Sequence, residues 1–127
     1  MQFPKKSILD LAVNMAMRSE YDHRLGAVIF RGKKILSVGF NQVHVQRRKL
    51  HPKFVNYRYN LHAEASSILN ARCDLKGCEI VVVRINRKGE LRLAKCCDNC
   101  LNYLEYVQMK RVWYSTGIGN EFEVIKL

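Results

Sequence analysis

The chain has 127 residues, a length that suits one compact domain, here 1–127, built on a single core. Its 22 Lys and Arg against 11 Asp and Glu give a net charge of +11, which favours polyanions or small phosphorylated molecules as partners, although solubility alone also accounts for such a balance. No run approaches the roughly 18 apolar residues of a membrane span, the first residues lack the apolar core of a secretory signal, and five cysteines at 73, 78, 96, 97 and 100 suit metal binding and free thiols in the cytoplasm better than a disulfide framework.

Ile8, Leu11, Ala12, Met15 and Ala16 recur at helical spacing, with Ser7 and Asp10 placed as an N-terminal capping pair. They predict a first helix over residues 5–20. Residues 25–31 and 34–41 are β-rich runs broken at Arg31-Gly32-Lys33, the pattern of an antiparallel hairpin.

Residues 42–60 carry Arg47, Arg48, Lys49, Lys53 and Arg58 without a carboxylate, interleaved with Phe54, Tyr57 and Tyr59. No Asp or Glu occurs between Asp22 and Glu64. One reading is a solvated basic loop whose aromatics pack onto the domain. The other is a charged flap over a binding site, since long loops in compact domains often serve as lids or binding loops. The position immediately before His62 favours the flap, in which Arg47, Arg48, Lys49, Lys53 and Arg58 are placed to pair with phosphate and Tyr57 or Tyr59 either stacks on a base or packs underneath.

Ala65, Ile68 and Leu69 give the apolar face of a second helix over 62–72, whose first turn carries His62 and Glu64. Residues 80–83 form an unbroken apolar run, the composition of a central strand covered on both faces. A turn at Asn86-Arg87-Lys88-Gly89 leads into a short return over 90–93. Leu101, Leu104 and Val107 mark a third helix over 98–108, and 112–116 reads as a strand. The four residues that follow are too few for a crossover helix, so 121–127 should return antiparallel. The expected architecture is a three-layer α/β/α domain with a five-stranded mixed sheet and an antiparallel C-terminal hairpin.

Two clusters carry chemistry: His62-Ala63-Glu64 and Cys97-Asp98-Asn99-Cys100, each at a predicted helix start. Cysteines three apart on a first helical turn face one side and can share one ion. The helix N-terminus favours their thiolate form. One His and two Cys leave the fourth position of a tetrahedral zinc open, as catalytic zinc requires. A carboxylate at 64 is then free to move protons for a water whose pKa the metal lowers to about 7. Separately, His-x-Glu is common by chance, and Cys-x-x-Cys serves structural zinc or redox pairs equally well. A structural four-ligand zinc would need one more Cys or His, and Cys96 is the only close candidate.

With these residues the chain resembles the zinc-dependent cytidine and deoxycytidylate deaminase superfamily over nearly its whole length. The likeness rests on Gly39-Phe40-Asn41, His62-Ala63-Glu64 and Ala94-Lys95-Cys96-Cys97-Asp98-Asn99-Cys100. It implies a cytidine-deaminase-like fold, with Zn2+ held by His62, Cys97 and Cys100 and Glu64 as the proton carrier, the arrangement described for nucleobase deaminases. By the same resemblance Asn41 contacts the sugar and the Ala63 backbone lies against the base. Relatives usually have Pro where this chain has Cys96, which would then be a free thiol beside the ligands. Cys73 and Cys78 read as small buried apolar side chains.

The resemblance implies hydrolytic deamination of cytosine to uracil in a free (deoxy)cytidine nucleoside or nucleotide, and its short final hairpin looks most like the free-nucleoside branch. The alternative keeps the chemistry and moves it to a base in single-stranded DNA or RNA. A third possibility is a non-catalytic nucleic-acid-binding domain with structural zinc, in which Glu64 has no task. A homo-oligomer is expected because oligomers are usual among relatives.

Overall fold

The computed structural model of the chain describes residues 3–43 and 60–127. In chain order the elements are α1 (Lys6–Ala16), β1 (Arg24–Arg31), β2 (Lys34–Phe40), β3 (Gln42–Val43), β4 (Asn60–Leu61), α2 (Ala63–Asn70), β5 (Glu79–Ile85), β6 (Leu91–Arg92), α3 (Asp98–Tyr106), β7 (Arg111–Ser115) and β8 (Phe122–Lys126). The sheet runs β2-β1-β5-β7-β8, and β6 adds a sixth strand paired with the end of β5. Only β5 and β7 are parallel; their connection holds α3, long enough to cross over, whereas the short turn after β7 forces β8 back antiparallel. The expected five strands are those of the main path. The short return after the Gly89 turn joins the same sheet, through Arg84 opposite Arg92 and Ile85 opposite Leu91.

Strand alternation sorts the core into two layers. Val28 and Phe30 of β1, Val81 and Val83 of β5 and Trp113 of β7 meet Ile8, Ala12 and Ala16 of α1 on one face. Ala27, Ile29, Ile80, Val82, Val112 and Tyr114 face the other way, onto Ala63 and Ala65 of α2 and Cys100, Tyr103 and Leu104 of α3. The unbroken apolar run of β5 is therefore buried on both faces, as its composition demands.

The capping of α1 differs from expectation. Lys5 is the N-cap residue and makes no side-chain cap bond. Ser7 thereby falls inside the first turn, and Asp10 instead pairs with Lys6 at 3.1 Å, one turn back on the exposed surface. The helix also stops at Ala16, after which Ser19 turns inward and is buried, its N–H donating to the Ala16 carbonyl at 3.1 Å.

Two glycines let helices approach the sheet. A Cβ on Gly26 would lie 2.1 Å from the Ala12 carbonyl oxygen, and one on Gly39 would lie 2.4 Å from Ser67 N and 2.8 Å from Ala63 O. Neither neighbour can move without shifting backbone. Further bonds hold α2 in that seat: Ser37 Oγ donates to Ser67 O at 2.6 Å and Asn70 Nδ2 to Val38 O at 2.9 Å. Gly39→Ala is accordingly expected to destabilise the fold by about 3 kcal/mol, at the upper end of overpacking costs. Because α2 carries His62 and Glu64 at its start, zinc affinity should fall with it. Denaturant unfolding and zinc competition titration read the two effects; an unchanged unfolding midpoint would show that the sheet and helix can separate freely.

Candidate metal centre and cavity

The start of α2 and the start of α3 meet on the same face of the sheet. His62 is the N-cap residue of α2, in extended conformation, and Cys97 is the N-cap residue of α3. Cys97 Sγ replaces the usual capping oxygen, accepting from Cys100 N at 3.4 Å. His62 Nδ1 lies 3.3 Å from Cys100 Sγ and 3.7 Å from Cys97 Sγ. All three ligand atoms fall within 4.8 Å of one another.

A tetrahedral zinc with ordinary Zn–N and Zn–S bonds sets its nitrogen and sulfur ligands about 3.6 Å apart. The observed separations bracket that value, and the set of one imidazole and two sulfurs is one that zinc uses in open catalytic sites. The electrostatics agree. The Cys100 thiol and the His62 imidazole, with the Cys100 N–H, hold the Cys97 thiol down at about 4, in the form that binds metal. Cys97 in turn raises the His62 pKa against the opposing effect of burial.

Cys96 goes the other way. It is buried, and burial first, then the Glu64 carboxylate, pushes its thiol well up. It stays a protonated thiol beside the cluster. Glu64 itself is 4% exposed, stands in the first turn of α2 and lines the same cavity as His62 and Cys97. Of the other two cysteines, Cys78 is buried as expected, whereas Cys73 is exposed, because it lies in the connection beyond the end of α2 rather than under it.

The cavity has a volume of about 570 Å³. Asn41 lines it but spends its amide on the rim: Oδ1 accepts from Leu25 N at 2.9 Å, and Nδ2 donates to His23 O at 2.7 Å. It thereby fixes the 23–25 segment against the pocket. Ala63 is fully buried, its side chain in the core. Arg47, Arg48, Lys49, Tyr57 and Arg58 lie outside the described residues, as does most of the expected flap. Its two ends are described: Gln42 pairs with Leu61 and Val43 with Asn60, so residues 44–59 depart and return at one place, between Asn41 and His62.

Sequence reasoning missed Tyr21, His23, Arg84 and Lys95, which also line the cavity. For Arg84 a signal existed. Ile80, Val82 and Arg84 alternate onto one face of β5, so a cation stands where the period calls for a core residue.

In this three-layer α/β/α domain two helix starts bring one His and two Cys to a point, beside a buried carboxylate, a donor set suited to a single zinc ion with an open position. Residues 4–116 match the family described as the cytidine and deoxycytidylate deaminase zinc-binding region, and the chain belongs to that family. Zn2+ is accordingly its cofactor, and the His62, Cys97 and Cys100 cluster is suited to hold it. In sequence it is 39% identical over 80 residues to an uncharacterized deaminase in the luxG 3′ region of Aliivibrio fischeri, a match that covers 61% of this chain and 48% of that protein. The chain thus spans about half the length of that relative.

Among solved structures, the dCMP deaminase of cyanophage S-TIM5 in apo form superposes with a TM-score of 0.59 at 18% identity, covering 91% of this chain and 90% of that one. The same enzyme in complex with dCMP and dUMP gives 0.56 at 16% identity, over 88% and 83%. Acinetobacter baumannii RibD gives 0.52 at 18% identity, over 84% of this chain and 26% of that one. At such identities the likeness concerns the fold.

Proposed function

We propose that residues 1–127 form one catalytic domain that hydrolytically deaminates cytosine to uracil in a free (deoxy)cytidine nucleoside or nucleotide. The observation that carries this reading is Glu64, buried and lining one cavity with His62 and Cys97. His62, Cys97 and Cys100 would hold the metal, which would supply the Lewis acidity that makes water nucleophilic near neutral pH. With the metal bound, Glu64 would take one proton from the attacking water and pass it to the ring nitrogen, then take the second proton from the same oxygen and deliver it to the departing amine. The carbon loses ammonia and keeps a carbonyl oxygen, so atoms and protons balance.

Asn41, through the rim it holds, and the Ala63 backbone are assigned to sugar and base. Arg47, Arg48, Lys49, Arg58 and Tyr57 are assigned to the substrate's outer parts. The S-TIM5 enzyme, solved with dCMP and dUMP, supports a nucleotide as substrate. Purified protein should carry about one zinc per chain and release ammonia from cytidine, deoxycytidine or their monophosphates. A metal-free protein inert on all four would sink the reading.

The net charge of +11 and the acid-free stretch before Glu64 favour a second reading, a base in single-stranded DNA or RNA. Replacing Arg47, Arg48 and Lys49 together by Ala separates the two. For a mononucleotide substrate KM should rise about 3- to 10-fold, the effect of weakened exposed charge pairs, with no further loss on longer strands. A loss that grows with strand length, with a shallower salt dependence than the wild type because fewer phosphates are neutralised, would favour the polynucleotide.

Self-association and a cytoplasmic site complete the proposal. Leu93 and Ile118 are exposed at 52% and 67%, and sedimentation tests whether copies cover them. Among the described residues no helix is long and apolar enough to cross a membrane.

A further inference from the structure

Beyond the metal cluster, the least expected group in the cavity is Arg84. Ile80 and Val82 sit in the core under α2 and α3, and one strand step further the same face presents a half-buried guanidinium. Its Nε is buried without a hydrogen-bond partner, and a terminal nitrogen donates to His23 Nδ1. No carboxylate answers it among the described residues. Of the neighbouring cations, Arg87 pairs with Asp22 and Arg92 with Glu90, and farther along the sheet Arg111 with Glu79, whereas Lys95 on the cavity wall and Arg24, whose Nε is also buried without a hydrogen-bond partner, have no ion pair among the described residues. Residues 44–59 hold no Asp or Glu that could supply the missing charge.

A cation taken partly out of water without a counter-charge is costly, and that cost is offset when an anionic ligand arrives. The planar fork of Arg suits phosphate in particular. His23 adds to the case. Since Arg84 can only donate, Nδ1 of His23 is the acceptor, and a neutral imidazole then carries its proton on Nε2, a second donor. The space also continues past these residues: a second cavity of about 450 Å³ shares Asp22, His23 and Arg84 with the first.

We propose that Arg84, with His23 beside it, is the phosphate site of this pocket and receives the terminal phosphate of a mononucleotide whose base lies toward Glu64. The inference rests on the deaminase reading and specifies its substrate as phosphorylated. One phosphate fits better than a strand, because beyond Arg84 the Arg87 and Arg92 charges are held by Asp22 and Glu90.

The test compares dUMP with deoxyuridine by calorimetric titration of the zinc-loaded protein, in the wild type, Arg84→Gln and Arg84→Lys. The wild type should prefer dUMP by about 10- to 100-fold, the factor of one charge-assisted contact. Arg84→Gln should cut that preference by about 10-fold or more, and Arg84→Lys, which keeps charge without the fork, should restore part of it. The ratio of kcat/KM for dCMP over deoxycytidine should fall in parallel. Thermal midpoints check that each variant is folded. A wild type indifferent to the phosphate, or a folded Arg84→Gln protein with undiminished preference, overturns the assignment; so does a loss confined to oligonucleotides. If the wild type releases no ammonia from any cytosine compound, the deaminase reading falls, while the dUMP preference still judges Arg84.

Discussion

Glu64→Gln is expected to lower kcat by about 10³-fold or more, within the range for loss of a general acid–base group, while zinc content and fold are retained. The side chain is not one of the three groups that cluster for metal, and Gln fills the same space in the first turn of α2. What is lost is the proton carrier. In the proposed reaction both protons of the water pass through this one carboxylate, so its amide cannot substitute at any transfer. Stability should hold or rise slightly, because a carboxylate 4% exposed is costly to bury and an amide is less so. The decisive comparison is zinc stoichiometry against ammonia release. Equal loss of both would make Glu64 a structural support of the metal and leave the catalytic assignment without its main residue.

Much of this architecture is written in local pattern. The hairpin of β1 and β2, the doubly buried β5 and the antiparallel return of β8 follow from alternation and from a connection too short to cross over. The helix starts at 62 and 97 are legible for a further reason: the ligand spacing and the cap are the same residues. Other features have no local signature. The β3–β4 ribbon is two residues on each side, too short for a period, and is set by the meeting of two distant segments. The capping pair read into Ser7 and Asp10 fails because the helix begins one residue before Ser7, a shift no side-chain pattern reports. Arg84 was hidden by treating the apolar run as ending at Val83, when the strand continues to Ile85. Its missing counter-charge becomes visible only once the ion pairs around it are known.

Cys97→Ser should cost at least about 10³-fold in zinc affinity, more than the 10- to 100-fold typical when only a ligand's supporting partner is lost. It should also remove the thermal stabilisation that zinc confers. The substitution separates two tasks that one sulfur performs. As a cap, Cys97 Sγ accepts from Cys100 N, and a serine oxygen does this at least as well, so α3 should begin where it does now. As a ligand, it is held at about 4 by Cys100 and His62, a thiolate poised for metal, and serine has no accessible equivalent at neutral pH. Linkage converts the loss into a measurable shift. Zinc present at 1,000 times its Kd stabilises the folded state by about 4 kcal/mol, which for a domain of this size is roughly 10 °C or more in Tm. Chelation should therefore lower the wild-type midpoint by that amount and leave Cys97→Ser nearly unmoved, the two apo proteins melting together. The alternative assignment has its own signature: had Cys96 been the ligand, Cys97→Ser would keep zinc at wild-type affinity and Cys96→Ser would lose it. The geometry points against that outcome, since Cys97 Sγ sits 3.7 Å from His62 Nδ1 and the ligand atoms that gather within 4.8 Å are those of His62, Cys97 and Cys100, without Cys96.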